Sequence, residues 1–209
     1  MAKDTMFVDT KQVDRLAIEL KGLEKQIPGA AASAINRTIT HVIAKAGQIV
    51  PKYYAIKSSE VKETFKQNTK KSSKSDVSAT IVSTGSTLSF AHFPHTPETP
   101  VIARSLGISH AKARVKVTIK KANGKVVSKT GFIATTGAKS ADKTPYNVFY
   151  RLGKARLPIA PIRTLSIPQM ITADGVDKQI LDAAQSKLQE RIEHEIEYRM
   201  DKAKENIKH

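Results

Sequence analysis

Residues 115–127 read VKVTIKKANGKVV, and this stretch decides the class of fold. Val115, Val117 and Ile119 alternate with Lys116, Thr118 and Lys120, the period of two that places one set of side chains on each face of a strand. Asn123-Gly124 then precedes Lys125-Val126-Val127. An Asn-Gly pair between two strand-like runs predicts a tight two-residue hairpin, because both central positions of a type I′ turn need positive φ. The second strand is expected to run on toward Phe132 and Ile133. A mid-chain hairpin flanked by helical patterns points to an α+β domain with an antiparallel sheet, not to parallel βαβ winding.

Toward the N-terminus, Asp9 and Gln12 form a passable capping box, and Val13, Leu16, Leu20, Leu23 and Ile27 recur at helical spacing, which predicts a helix over 10–26. Pro28-Gly29 interrupts it. A second stripe of small and apolar residues, Ala31, Ala34, Ile35, Thr38, Val42, Ala46 and Ile49, predicts a closely packing helix that Pro51 ends. Ser58-Ser59 with Glu60 and Glu63 read as the cap and first turn of a short third helix ending near Phe65. The run QNTKKSSKSD at 67–76 holds no apolar residue and is expected to be a flexible polar loop. Pro94, Pro97 and Pro100 exclude helix and central strand from their segment.

Toward the C-terminus, Val148, Tyr150 and Leu152 suggest another strand. Pro158, Pro161 and Pro168 make 157–170 an extended, non-helical arm whose apolar residues dock on this chain or on a neighbour. From about 173 to 207 the chain reads as one long helix, with Val176, Ile180, Ala184, Leu188, Ile192, Ile196 and Met200 every four residues. That row wants a partner helix. Leu157, Ile159, Ile167, Met170, Ile180, Leu188, Ile192 and Ile196 are the candidate subunit-interface residues. With 209 residues and no internal repeat, the whole of 1–209 is expected to form a single domain.

Charge is distributed unevenly. Lys and Arg number 35 against 19 Asp and Glu, a net charge of +16. Residues 101–156 hold thirteen basic residues against Asp142 alone, a local +12, whereas both ends of the chain are near neutral. Such a segment fits a polyanion or an acidic partner. Lysines outward on a strand suit phosphate contacts, so Lys112, Arg114, Lys116, Lys120, Lys121, Lys125 and Lys129 are the candidate DNA-binding residues. A basic strand face that discourages edge aggregation is the competing reading.

Catalytic chemistry finds little support. Cysteine is absent, which removes disulfides, thiolate nucleophiles and Cys-ligated zinc and fits an intracellular folding site. The first thirty residues carry no signal-peptide core, and the apolar runs fall far short of a membrane span. His92 and His95 stand at H-x-x-H spacing, but Pro94 separates them and Glu98 is the one nearby carboxylate, so no metal site is expected. No phosphate-binding glycine loop or nucleophile elbow occurs. Glu193, Glu195 and Glu197 read as a solvated helix face. The expectation is a protein that is not an enzyme and uses no cofactor.

Two stretches carry a resemblance. Ala30-Ala31-Ala32-Ser33-Ala34-Ile35-Asn36-Arg37-Thr38 is similar to the small-residue and Asn-Arg-Thr pattern of the prophage minor tail protein Z family. Arg151-Leu152-Gly153-Lys154, then Leu157-Pro158-Ile159, then Ser166-Ile167-Pro168-Gln169-Met170 before a long helix, resembles that family's C-terminal signature. The resemblance spans about residues 10 to 200. It implies a structural virion protein of a long-tailed bacteriophage, made in the host cytoplasm and acting in tail completion at the head-proximal end, where tail meets neck and the genome end is held. Implied partners are the tail terminator, the head-tail connector and further copies in a homo-oligomeric ring, hexameric by tail symmetry, with contact to genomic DNA and none to membrane. A stand-alone basic nucleic-acid-binding protein is the alternative.

Overall fold

The computed structural model describes residues 2–5, 24–65, 71–100, 114–135 and 145–207. Its frame is a pair of long helices, α1 (Ile27–Tyr53) and α4 (Val176–Ile207), with the short helices α2 (Ser58–Glu63) and α3 (Ile167–Ile171) beside them. Eight strands form three small antiparallel sheets: β1 (Ala2–Thr5) with β2 (Val82–Gly85); β3 (His95–Thr96), β4 (Lys116–Val117) and β5 (Val126–Val127); and β6 (Phe132–Thr135), β7 (Tyr146–Arg151) and β8 (Ile159–Pro161). This is the α+β class read from the sequence, with its antiparallel sheets and long C-terminal helix.

The two long helices run antiparallel. Near one end of the pair Ala30, Ala31 and Ala34 meet Leu188, Ile192 and Ile196. Toward the other, Val42, Ala46 and Val50 share a core with Val176, Ile180 and Ala184, joined by Tyr54, Val61, Phe93, Val117 and Met170. Small residues on α1 let the backbones approach, which is how a narrow stripe buries a long partner. The four-residue row of α4 therefore finds its partner inside the same chain. Gln179 donates to the Tyr53 hydroxyl at 2.5 Å and ties that end of the pair.

Several expectations are corrected. The predicted helix over 10–26 lies outside the described residues except for Glu24–Gln26, a 3-10 turn that runs directly into α1. Pro28 sits in the first turn of α1, where its missing N–H removes no bond, so it starts a helix here and does not interrupt one. Pro51 does not end α1 either. It lies within the last turn, and the helix continues to Tyr53. At α2 the N-cap is Lys57, not a serine, and no side chain caps it.

The two strands do pair antiparallel, but in a different register, Lys116 opposite Val127 and Val117 opposite Val126, and through a different turn from the two-residue one expected. Residues 118–125 form a long connection in which Lys121–Asn123 make a 3-10 turn and Gly124, at φ 61°, closes it. Ile119 and Lys120 are drawn away from the hairpin to the end of α1, where Ala55 N–H donates to the Ile119 carbonyl at 2.8 Å and Tyr54 bridges Lys120. The strand therefore stops at Val117. Nor does β5 run on to Phe132: Gly131 N–H turns to the Ser128 hydroxyl, and β6 joins β7 in another sheet.

The extended reading of the arm holds for 157–165 but not beyond. Ser166 opens α3 with a capping box: Gln169 N–H donates to its hydroxyl, and the Gln169 side chain accepts from Ser166 N–H at 2.9 Å. Pro168 occupies the first turn, where proline is tolerated. Residues 71–76 of the polar loop are anchored, because Asn36 clasps Ser72 by both backbone groups at 2.8 and 2.9 Å. Residues 67–70 lie outside the described part.

Candidate nucleic-acid interface

The β4–β5 hairpin separates its residues by face. Val115 and Val117 are buried, Ile119 is half-buried against the core, and Lys116 and Lys120 point to solvent. Lys121, Lys125, Lys129 and Arg114 are exposed as well, and the sequence from 101 to 141 contains no acidic residue. Lys112 lies outside the described residues. Six cations thus emerge from one short element whose inner face is locked into two apolar clusters through Val115 and Val117. Lys120 sits 5.9 Å from the ring centre of Tyr54, which burial keeps a poor acid by pushing its hydroxyl pKa upward. Val126 and Val127 are exposed between the lysines, an apolar feature of the strand that alternation alone did not reveal.

A second exposed element is the β7–β8 tip, where every residue from 151 to 158 is exposed. Arg151 stacks over Phe132 at 5.0 Å and donates to the Arg156 carbonyl, while Leu157 stands 66% exposed. Ile159 is half-buried. The remaining candidate interface residues lie elsewhere. Ile167, Met170, Ile180, Leu188, Ile192 and Ile196 are each at most 5% exposed within this single chain, so the apolar row of α4 is core from Val176 to Ile196, and Met200 alone of the row is exposed. The every-four spacing was read correctly as a demand for a partner helix; what it could not reveal was that α1 would supply it.

The histidine pair is divided by its surroundings. His92 Nδ1 lies 3.4 Å from Glu60, and His95 Nδ1 pairs with the Phe93 carbonyl at 2.8 Å. Among the described residues no three His, Asp or Glu side chains are grouped to hold a metal ion. Glu195 corrects the solvated reading of its helix face: it is buried, accepts from Ser33 at 2.6 Å and pairs with Arg199 at 3.1 Å. Among the described residues no helix is long and apolar enough to cross a membrane.

What the geometry presents, then, is a rigid helical frame bearing a cationic hairpin and an exposed loop tip. No curated protein and no solved structure shows significant similarity to the chain. The family model described as prophage minor tail protein Z (GPZ) matches residues 11–204, nearly the whole length and both stretches singled out in the sequence. The chain therefore belongs to the prophage minor tail protein Z family, structural proteins of the bacteriophage tail.

Proposed function

We propose that this tail protein is a non-enzymatic completion subunit at the head-proximal end of the tail, joining tail to neck and touching the genome end through its basic hairpin. The observation that carries the reading is the set of Arg114, Lys116, Lys120, Lys121, Lys125 and Lys129, all exposed on the β4–β5 strands, the connection between them and their flanks, with no acidic residue in the sequence neighbourhood. Cations of that density act on phosphates without reading bases, as a protein holding an arbitrary genome end requires. A closed ring, sixfold by tail symmetry, would concentrate this charge, and its self-repulsion is relieved where DNA or acidic neighbours are present. Leu157 and Ile159 at the exposed tip are the interface candidates that remain.

The test is charge reversal of Lys116, Lys120, Lys121 and Lys125 in a phage complementation assay. Particles should assemble tails yet lose DNA retention or ejection, while the purified variant keeps its thermal unfolding midpoint. Full infectivity would remove the hairpin from any essential role. Sedimentation across a salt series, with and without purified tails, separates the ring from a stand-alone nucleic-acid-binding protein: several copies recruited to one tail end support the first, and DNA binding without tail recruitment supports the second.

A further inference from the structure

We infer that the cleft between α1 and α4 is a second binding site for the phosphodiester backbone of nucleic acid. The inference rests on the reading that this protein meets DNA, but on a different surface from the hairpin. The cleft is broad and open to solvent, about 800 Å³ in volume, and is lined by Arg37, His41, Lys71, Lys187 and Arg191, with no carboxylate among its described lining residues.

The neutral polar groups around it are already engaged. Ser33 donates to Glu195, Thr40 donates to the Asn36 carbonyl, and both ends of the Asn36 amide hold Ser72. That clasp holds the residue next to Lys71, so the segment carrying this lysine is tied to α1 where Arg37 also lines the cleft. Of the cations, Lys187 is engaged, bonding both oxygens of the Glu190 carboxylate at 2.5 and 2.7 Å, while that carboxylate reaches Arg191 only at 4.0 Å. Arg191 Nε is buried without a partner, an unmet donor of the kind folded proteins seldom leave. Arg37 and Lys71 are exposed.

The lining also selects the class of ligand. A protein segment would want apolar or aromatic anchors in the cleft, and Ala44 is the one aliphatic side chain there. Among the described lining residues Phe, Tyr and Trp do not occur and His41 is the one ring, so cation-to-phosphate contact, independent of sequence, dominates. The site also gives a use to the Asn36-Arg37-Thr38 stretch: Asn36 positions the loop, Arg37 supplies charge, and Thr38 is spent on the Ala34 carbonyl inside α1.

The experiment measures binding of a labelled 20-base-pair duplex (about two helical turns) by the full chain across a sodium chloride series. Variants are Arg37→Ala with Lys71→Ala, Lys116→Ala with Lys120→Ala, Lys121→Ala and Lys125→Ala, and the two sets combined. Removing two phosphate contacts should lower the log–log salt slope by about 2. The cleft pair should do so in the parent and again in the hairpin-neutralised background. A slope that falls only with the hairpin set supports the proposed function and overturns this site; a slope that falls only with the cleft pair does the reverse. Polyglutamate of matched charge, binding as tightly and losing as much in the cleft pair, would make the cleft an acidic-peptide site and overturn the inference. Both cleft residues are exposed, so loss of folding is checked by an unchanged unfolding midpoint.

Discussion

Ser33 on α1 donates to the buried carboxylate of Glu195 on α4 at 2.6 Å, and the same carboxylate holds Arg199 at 3.1 Å. The contact joins residues 162 positions apart. Replacing Glu195 by Ala strands a hydroxyl and a guanidinium that is itself largely buried. Urea unfolding of Glu195→Ala should show a loss of about 2–3 kcal/mol, the scale for hydrogen bonds to charged groups. A loss below about 0.5 kcal/mol, typical of exposed substitutions, would mean the triad contributes nothing to the helix pair.

Ile192 lies in the same seam, 2% exposed between α1 and α4. Truncation to Ala should destabilise the isolated chain by about 2–5 kcal/mol. If this residue instead served another subunit, Ile192→Ala would leave the unfolding midpoint of free protein unchanged and weaken only assembly.

The sequence displayed this seam clearly but not its meaning. Every-four spacing from Val176 to Ile196 marked the helix and its apolar row, since periodicity is a local property. Which helix covers the row depends on packing over more than a hundred residues, and no local pattern encodes it. The same limit explains β1, missed because four residues pair with Val82–Gly85 across eighty positions. Two other differences were written in the sequence and outweighed. Ser166-x-x-Gln169 is a capping box, overshadowed by three nearby prolines although one sits where helices accept it. Asn123-Gly124 did supply a positive φ, but at Gly124 alone, because Tyr54 and Ala55 capture residues 119–120. Of the candidate site, the outward lysines follow from alternation; the cleft does not, since its residues come from three separate segments.

Asn36 offers a test of how the polar loop is held. Asn36→Ala removes two bonds to the Ser72 backbone, so amide exchange at Ser72 should accelerate by at least about tenfold, the equivalent of about 1.4 kcal/mol. Unchanged protection there would show that the clasp is not what anchors the segment.

Gly131 is a position where a methyl group has no room. A Cβ there would lie 2.5 Å from Ser128 Oγ and 3.0 Å from both Val148 Cγ1 and Ile162 Cδ1. Gly131→Ala should cost about 1–3 kcal/mol through overpacking. Hydrogen exchange across β6 and β7 is the readout, and parent-like protection would refute the crowding.

His41 links stability to pH. Burial first, then the charges of Lys187 and Lys45, hold it below its ordinary value of 6.5, with Arg191 acting the same way and Glu190 opposing. The unfolded chain then takes up the proton more readily than the folded one, so this contribution is complete above pH 6.5 and is lost as pH falls through the lower folded value. Urea midpoints between about pH 5 and pH 8 should therefore rise with pH more steeply in the parent than in His41→Gln. Parallel profiles would assign the pH dependence to other groups.

The antiparallel pairing of α1 with α4 has a consequence for biosynthesis. At roughly 5–20 residues per second, translation leaves Ala30, Ala31 and Ala34 of α1 without the α4 residues that cover them until 176–196 have left the ribosome. A chain released before Val176 has half of its central seam missing and offers no finished core, so premature termination yields a fragment fit for degradation and not a shortened tail part. The fold in this way checks that synthesis has passed α4.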